Sequence, residues 1–176
     1  MKRLLHIALL LLTVSVVRAQ VNAYAEVTGI AGATLTIGSV NETFDSFEVG
    51  EFVIIMQMQD NVLGTTTISA AFGNVGDILS AGLFEIEEIA SIVEAGGVPT
   101  SITLQSPPDS TYNTGPNSSF QIISFPTLGS PNFTTTADIT AVDWNGTIGG
   151  VVAFEVTGTL TLQHDISADA AGFRGG

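Results

Sequence analysis

Apolar residues at every second position, interrupted by short glycine, proline and Asx clusters, constrain the fold of this chain more than any other feature. From Ala33 to Val40, Leu35 and Ile37 alternate with threonines, as in a half-buried β-strand. The run from Glu51 to Gln59 opens with successive apolar residues, the pattern of a strand buried on both faces. Because no segment shows strand–helix alternation, a parallel α/β sheet is disfavoured and the chain is predicted to be all-β.

Other segments carry the same pattern less clearly. Further strands are predicted at Ser101–Leu104, Ser119–Phe125, Asn132–Thr136, Val151–Thr157 and Thr159–Leu162. Leu83 to Glu94 fits both helical and strand spacing, and its flanking glycines favour a strand with a bulge near Glu87–Glu88. Residues 64–81 lack a steady period and are predicted to form a long loop with a short helical turn. No strict internal repeat of 20–50 residues is apparent.

These patterns predict a small antiparallel β-barrel or sandwich at residues 20–142. It leads into a β-solenoid-like hairpin or rung with a glycine-rich exit at residues 143–176. In this last part, short apolar strands are separated by glycine or Asx turns, as a solenoid rung requires. A single rung leaves an exposed edge, which predicts pairing with downstream sequence or with another chain.

The first 19 residues have the three parts of a signal peptide. Lys2 and Arg3 precede an apolar run, and Val17 and Ala19 occupy the small-residue positions before a cleavage site. The alternative, a membrane anchor, is disfavoured because the fully apolar stretch is shorter than the roughly 20 residues that span a bilayer. We therefore expect cleavage after Ala19, a secreted or cell-surface location, and no transmembrane segment in the mature chain.

The charge distribution excludes several classes of function. The chain has four Lys and Arg residues against 17 Asp and Glu, and Arg174 is the only cation downstream of the signal peptide. Sequence-independent nucleic-acid binding and polybasic membrane binding both need many cations, so neither is expected. The absence of cysteine rules out disulfides, thiolate metal sites and a cysteine nucleophile.

Few residues could support catalysis. His164 is the single histidine of the mature chain, and its neighbour Asp165 would point to the opposite side of a strand, so we interpret His164 as an exposed turn residue. Glu85 and Glu87 are spaced to share one strand face, with their Cα atoms about 6.5–7 Å apart. Two such carboxylates can suffice for glycoside hydrolysis. A solvated acidic strand face is the favoured interpretation, because no aromatic cluster accompanies the pair.

Calcium is the cofactor that best suits an acidic exported protein whose mature chain lacks lysine, since hard cations prefer oxygen ligands. Asp60 with Asn61, Asp143 with Asn145, and Asp165 with Asp169 are the candidate ligand sets for a structural calcium ion. None matches an EF-hand loop or a glycine-rich nonapeptide repeat, so no cofactor is predicted.

Trp144, the single tryptophan, is the main candidate for a ligand-binding residue. It lies between Asp143 and Asn145, and a tight Asn-Gly turn and a Gly-Gly pair follow. The tryptophan could stack on a sugar ring, with Tyr24 or Tyr112 as further platforms. Burial over the end of a barrel is the favoured alternative for Trp144.

Four passages of the chain stand out together: Gly50–Gln59, Gly82–Glu85, Trp144-Asn-Gly-Thr-Ile-Gly-Gly150 and Ile166–Gly176, which ends in Gly-Phe-Arg-Gly-Gly. In this order they resemble the N-terminal region of large secreted adhesin-like surface proteins of Bacteroidetes-type bacteria. The resemblance implies an entry into a right-handed β-solenoid, and it carries no catalytic residues.

The chain departs from that pattern in two places. His164-Asp165 stands where a tighter Asn or Gly turn is expected. The sequence also stops on the last motif, which indicates a fragment of a longer protein, a truncated product or a short relative.

The leading hypothesis is an exported, non-enzymatic surface domain of the adhesin type that caps or initiates a longer extracellular structure. Its expected partners are the downstream region of a longer chain or other surface proteins, with polysaccharide as a further candidate. One alternative is a carbohydrate-binding module that uses Trp144, Asp143 and Asn145. Another, less favoured, is a glycoside hydrolase that uses Glu85 and Glu87.

Overall fold

A computed structural model describes residues 18–60 and 78–172, and within these ranges the protein is all-β, with no helix. The strands are β1 (Arg18–Ala19), β2 (Tyr24–Ala31), β3 (Thr34–Asn41), β4 (Phe52–Gln59), β5 (Phe84–Ala95), β6 (Val98–Leu104), β7 (Ser119–Ser124), β8 (Phe133–Thr134), β9 (Asp138–Thr140), β10 (Leu160–Thr161) and β11 (Ile166–Ser167). The predicted all-β class is therefore confirmed.

Strands β2 to β7 close into a six-stranded barrel in the order β2-β3-β6-β5-β4-β7. Every neighbouring pair in the barrel is antiparallel. Because the sheet closes on itself, each of these strands is paired on both sides. Of the two predicted architectures, the barrel is the one observed.

Alternate side chains of each strand fill the barrel interior. On β4, Val53 and Ile55 point inwards and are almost fully buried, next to Leu35 and Ile122 from other strands. The outward-facing Ile54 and Met56 are half-buried, because a later segment of the chain packs over them. The unbroken apolar run in β4 thus faces the barrel core on one side and a covering segment on the other.

Several predicted boundaries were wrong, and each error has a local cause. Strand β2 was not predicted, because two register shifts interrupt its alternation between Ala25 and Gly29. The bulge expected near Glu87–Glu88 lies between Ile89 and Ser91 instead. Within the predicted strand Val151–Thr157, only an isolated bridge at Glu155 forms.

The loop predicted at residues 64–81 lies mostly outside the described residues, which resume at Ile78. Residues 79–82 form turns that lead into β5. Gly82 has a φ of 90°, a conformation that suits glycine at the start of the strand.

Beyond the barrel, the strand pairs change from antiparallel to parallel. They join two stretches of chain, which we call the first segment (residues 126–144) and the second segment (residues 155–171). β8 pairs with β10, and β9 pairs with β11, in parallel register. β1 lies on the other side of β9 and is also parallel to it.

The register between the two segments is constant along both strand pairs. Phe133 lies opposite Leu160 and Ile139 lies opposite Ile166, so each partner is 27 positions further along the chain. The pairing places Asp138–Ala141 (Asp-Ile-Thr-Ala) beside Asp165–Ala168 (Asp-Ile-Ser-Ala). This short repeat went unnoticed in the sequence because only a few residues of each segment match.

Thr135 fixes the register between the two segments. It is fully buried, and its hydroxyl donates to the carbonyl of His164 at 3.0 Å. The same oxygen accepts the backbone N–H groups of Gln163 at 2.9 Å and His164 at 2.8 Å. A single threonine side chain therefore turns the second segment between β10 and β11.

We expect Thr135→Val to loosen the second segment. The change removes the acceptor of two partly buried N–H groups while it preserves side-chain volume, so it should cost about 1 kcal/mol. Hydrogen exchange at residues 160–167 measures the effect, and Thr134→Val at an exposed neighbouring position is the matched control. Equal exchange in the two variants would contradict the role given to Thr135.

Candidate functional site

Residues 142–151, which contain the Trp-Asn-Gly and Gly-Gly motifs, lie against the outer wall of the barrel. Ile148 is 4% exposed and packs with Tyr24 and Ile123, which point outwards from β2 and β7. Ile54, Met56, Val142 and Val151 surround this outer cluster. Ile148, and not the tryptophan, is thus the residue of the motif that plugs into the barrel wall.

A buried glutamine side chain holds the Gly-Gly motif against this wall. The side-chain oxygen of Gln121 accepts the N–H of Gly149 at 2.9 Å, and its nitrogen donates to the Gly149 carbonyl at 3.0 Å. Gln121 is fully buried. Gly149 has a φ of 104°, and a Cβ there would lie 2.7 Å from the carbonyl oxygen of Asp143, so only glycine fits.

A second buried amide makes a similar bridge beside the first. The side-chain nitrogen of Asn22 donates to the carbonyls of Ala153 and Ser124, and its oxygen accepts the N–H of Ala153 at 3.1 Å. Tyr24 adds a hydrogen bond from its hydroxyl to the carbonyl of Val151. Burial raises the pKa of Tyr24 to about 12, so the hydroxyl stays a donor at neutral pH.

Gln121 and Asn22 were not singled out in the sequence, and Tyr24 was considered only as a stacking platform, although one signal was available for Gln121. Gln121 interrupts an otherwise apolar stretch between Phe120 and Ile122. A polar residue at an outward position is ordinarily attributed to solvent exposure. Only the covering segment explains why Gln121 is buried.

The predicted ligand-binding residues are consecutive but do not act together. Asn145 is exposed, and its side-chain oxygen accepts the N–H groups of Thr147 at 2.9 Å and Ile148 at 3.0 Å. It therefore shapes the turn. Trp144 is half-buried, and its backbone N–H donates to the Ala171 carbonyl at 2.7 Å. That bond ties the motif to the end of the second segment.

Asp143 is exposed and lines a groove of about 270 Å³ along the two segments. Asp138, Asp165 and Asp169 contribute carboxylates to the same groove. In residues 18–60 and 78–172, no group of three or more His, Asp or Glu side chains is arranged to hold a metal ion. The groove gathers acids from two of the candidate calcium sets without forming a coordination sphere.

In the remaining candidate calcium pair, Asp60 with Asn61, the first residue has a structural role. The carboxylate of Asp60 accepts the N–H of Ser80 at 2.8 Å and the side-chain amide of Asn113 at 2.5 Å. Its predicted companion Asn61 lies outside the described residues.

His164 contacts the first segment and not its neighbour in sequence. Its Nδ1 lies 3.5 Å from a carboxylate oxygen of Asp138, and both side chains are substantially exposed. The N–H of Asp165 points to the same residue, donating to Asp138 at 3.2 Å. This placement agrees with the exposed turn position predicted for His164.

Glu85 and Glu87 lie on the inward side of β5, contrary to the expected solvated face. They pair with Ile55 and Val53, whose side chains face the barrel core. Both glutamates are half-buried, whereas their neighbours Phe84 and Ile86 point outwards and are exposed. The alternation in β5 is therefore inverted, with carboxylates at the barrel mouth and apolar residues on the outside.

Glu85 anchors the loop that closes this mouth. Its carboxylate accepts the N–H groups of Asp109 at 2.8 Å and Ser110 at 2.7 Å, and the hydroxyl of Tyr112 at 3.1 Å. Burial alone would raise the pKa of Glu85, but these hydrogen bonds outweigh it and lower the pKa. Tyr112 is itself buried and stacks on Phe120 with a centroid distance of 4.6 Å.

Glu87 experiences the opposite effect. Burial, with repulsion from Glu85 and Asp109, raises the pKa of Glu87 above its ordinary value. Two neighbouring carboxyls whose pKa values move apart are a pattern found in acid–base catalysts. Here, however, the lowered member is occupied by loop backbone, and buried apolar side chains fill the barrel behind it.

Neither tyrosine of the chain can serve as a stacking platform. Tyr24 is 1% exposed and Tyr112 is 8% exposed, so both rings belong to the packed interior. Trp144, which is half-buried, is the one aromatic residue of the predicted set that lies outside the packed interior.

Comparison with known proteins identifies no relative: no protein-family model, curated protein or solved structure matches the chain. In the part of the chain that the structure describes, there is no helix with the length and hydropathy needed to cross a membrane.

The two glutamates should affect stability with opposite pH dependence. Ionised Glu85 stabilises the fold above the ordinary carboxyl pKa of 4.5, and this contribution is lost as the pH falls through its lowered value. Protonated Glu87 is favoured in the fold, so its contribution is complete at low pH and is lost as the pH rises through its raised value.

We therefore expect Glu85→Gln to destabilise the barrel by about 1 kcal/mol at neutral pH and less under acid conditions. Glu87→Gln should stabilise it at neutral pH. Urea denaturation at about pH 7 and about pH 3 measures both effects, with the exposed Glu94→Gln on the same strand as the control. The assignment fails if both variants shift stability in the same direction at neutral pH.

Proposed function

We propose that this chain is an exported, non-enzymatic surface domain of the adhesin type. In this proposal the barrel caps the first of a series of parallel β-segments, and so initiates a longer extracellular structure. The observation that carries the proposal is the seating of residues 142–151, which directly follow the strands of the first segment, on the barrel wall through Ile148 and the Gln121–Gly149 bridge. A cap must cover the apolar end of a stack of repeats, and the outer cluster provides such a cover.

The parallel register supports a β-solenoid-like interpretation of the C-terminal part. Two segments 27 residues apart, with Asp-Ile-Thr-Ala beside Asp-Ile-Ser-Ala, have the spacing of a repeat architecture. In such an architecture each repeat contacts its neighbours, and the terminal repeat needs a cap.

The proposed export explains why three of the four basic residues lie in the first 19 positions, and it removes β1 from the mature chain. Residues 1–17 lie outside the described residues, and β1 consists of Arg18 and Ala19. Cleavage after Ala19 removes β1 from β9. Gln20 then begins the mature chain, where its side-chain amide donates to the Ala141 carbonyl at 3.2 Å.

A non-enzymatic role agrees with the environment of the acidic pair. Glycoside hydrolysis needs two carboxyl groups that face a cleft able to admit a sugar. Glu85 is instead saturated by Asp109, Ser110 and Tyr112. We therefore place the glycoside hydrolase last among the candidate functions.

Carbohydrate binding is the second candidate, and one specific feature favours it. Trp144 is half-buried and adjoins Asp143, which lines the acidic groove. A tryptophan face beside hydrogen-bond acceptors is an arrangement suited to a sugar ring. The two candidates differ in whether Trp144 is needed for binding.

Export predicts a defined mature N-terminus. When the full chain is expressed in a bacterium with a general secretion pathway, the exported product should begin at Gln20, as read by mass spectrometry. Ala19→Tyr should block cleavage, because the position before the cut requires a small residue. Arg18→Tyr, at the intervening position, should be processed normally. Retention of the uncleaved chain in the cytoplasm of the wild type would contradict the export proposal.

Carbohydrate binding is tested by polysaccharide pull-down with the wild type and Trp144→Ala. The leading proposal predicts that neither protein is retained, whereas a binding module predicts retention that falls by about tenfold or more in the variant. Phe44→Ala, at another exposed aromatic residue, is the matched control. Selective loss in Trp144→Ala, with an intact fold, would favour the binding module.

A further inference from the structure

The second segment has an unpaired strand edge. Among residues 18–60 and 78–172, β11 pairs with β9 alone and β10 pairs with β8 alone. The N–H groups of Ile139 and Ala141 donate to the carbonyls of Asp165 and Ser167. Because a parallel ladder sends the backbone groups of successive residues to opposite sides, the N–H and C=O of Ile166 point away from β9.

Apolar side chains lie along this edge, and they are more exposed than the residues 27 positions earlier in the chain. Ile139 is 2% exposed, while Ile166, its partner 27 positions later, is 36% exposed. Thr135 is fully buried, whereas Leu162 at the matching position is 61% exposed. Leu160 adds a third exposed apolar side chain at 39%. Packing of the second segment covers the first, and in the described chain nothing covers the second in turn.

Polar side chains of the first segment accept N–H groups from the second at the same spacing. Asn132 accepts the N–H of Thr159 at 2.7 Å, and Asp138 accepts the N–H of Asp165 at 3.2 Å. Each donor lies 27 positions after its acceptor. Asp165 repeats Asp138 in sequence and register, so its carboxylate stands where the next strand would present an N–H.

We propose that the β10–β11 edge binds one kind of partner, a β-segment that adds in parallel and in the same 27-residue register. This inference rests on the proposed function and deepens it, since it gives the chemistry of the next layer. The partner places an apolar side chain over Ile166 and another over Leu160, and it donates an N–H to the Asp165 carboxylate. Continuity decides the orientation, because β10 is already parallel to β8 and β11 to β9.

A peptide with the sequence of residues 155–172 is the probe, with both termini blocked to remove their charges. The isotopically labelled full chain is titrated with it and followed by amide NMR. Backbone signals of Leu160, Leu162, Ile166 and Ala168 should shift, and their hydrogen exchange should slow by about tenfold or more as the edge is paired. The signal of Leu35, inside the closed barrel, should not move.

A second peptide tests the backbone pairing directly. Thr161→Pro and Ser167→Pro in the peptide remove one N–H donor from each short strand while its apolar residues stay in place. Parallel addition predicts that the affinity of this peptide falls by about tenfold or more. Equal binding of the two peptides would show non-specific hydrophobic contact and overturn the proposal.

Matched variants of the full chain test the location of the edge. Ile166→Lys removes the apolar cover from β11 and should weaken peptide binding by about tenfold, whereas Val93→Lys, at an exposed barrel position, should bind like the wild type. If Ile166→Lys disorders the second segment, the proline peptide still decides the question on the wild-type chain.

Two further outcomes overturn the inference: shifts confined to the barrel, and no shift at peptide concentrations up to about 1 mM. These failures are distinguishable from a failure of the proposed function. Processing at Gln20 and polysaccharide retention are read in separate experiments. A chain that is exported and cleaved but ignores the peptide would retain its proposed role as a surface domain and lose only this partner.

Discussion

The two-way hydrogen bond between the Gln121 side chain and the backbone of Gly149 is the interaction on which the rest of the structure depends. A buried amide is costly unless both of its ends are paired, and here both are. The bridge works like a short strand pair, except that one partner is a side chain. Without it, Ile148 would leave the barrel wall, and the outer faces of Ile54 and Met56 would meet water.

The same device recurs at Asn22, and together the two amides join elements of different kinds. The barrel is antiparallel and closed, while the following segments are parallel and open at one side. In the described residues the two parts share no ladder. The side-chain amides of Gln121, on β7, and Asn22, just before β2, join them instead, because each presents a donor and an acceptor.

Backbone amides also take the place that cations hold in most acidic proteins. Glu85 is held by two N–H groups, Asp60 by that of Ser80, and Glu42 by that of Phe47 at 2.9 Å. Hydrogen bonds to ionised acceptors are stronger than neutral ones. A chain with 17 carboxylates and almost no cations can therefore order its loops without salt bridges.

Sequence periodicity predicted β3, β4, β7 and the second half of β6, because each keeps a recognisable alternation or apolar run. It missed β2, where bulges break the period, and it placed Glu85 and Glu87 on the wrong side of β5. That prediction assumed that carboxylates face solvent, whereas loop N–H groups pair with Glu85 at the barrel mouth. Burial of Gln121 and the pairing of Ile139 with Ile166 depend on contacts between distant residues, which local patterns do not contain.

Barrel closure has a consequence for how such molecules can associate. In a closed ring of strands every strand is paired on both sides, so the barrel presents no free strand edge with which other β-structure could pair. The other end has a definite strand direction and a fixed spacing. Under the proposed parallel addition, each layer would therefore take the strand direction of the layer before it, and two such domains would not join through their barrels.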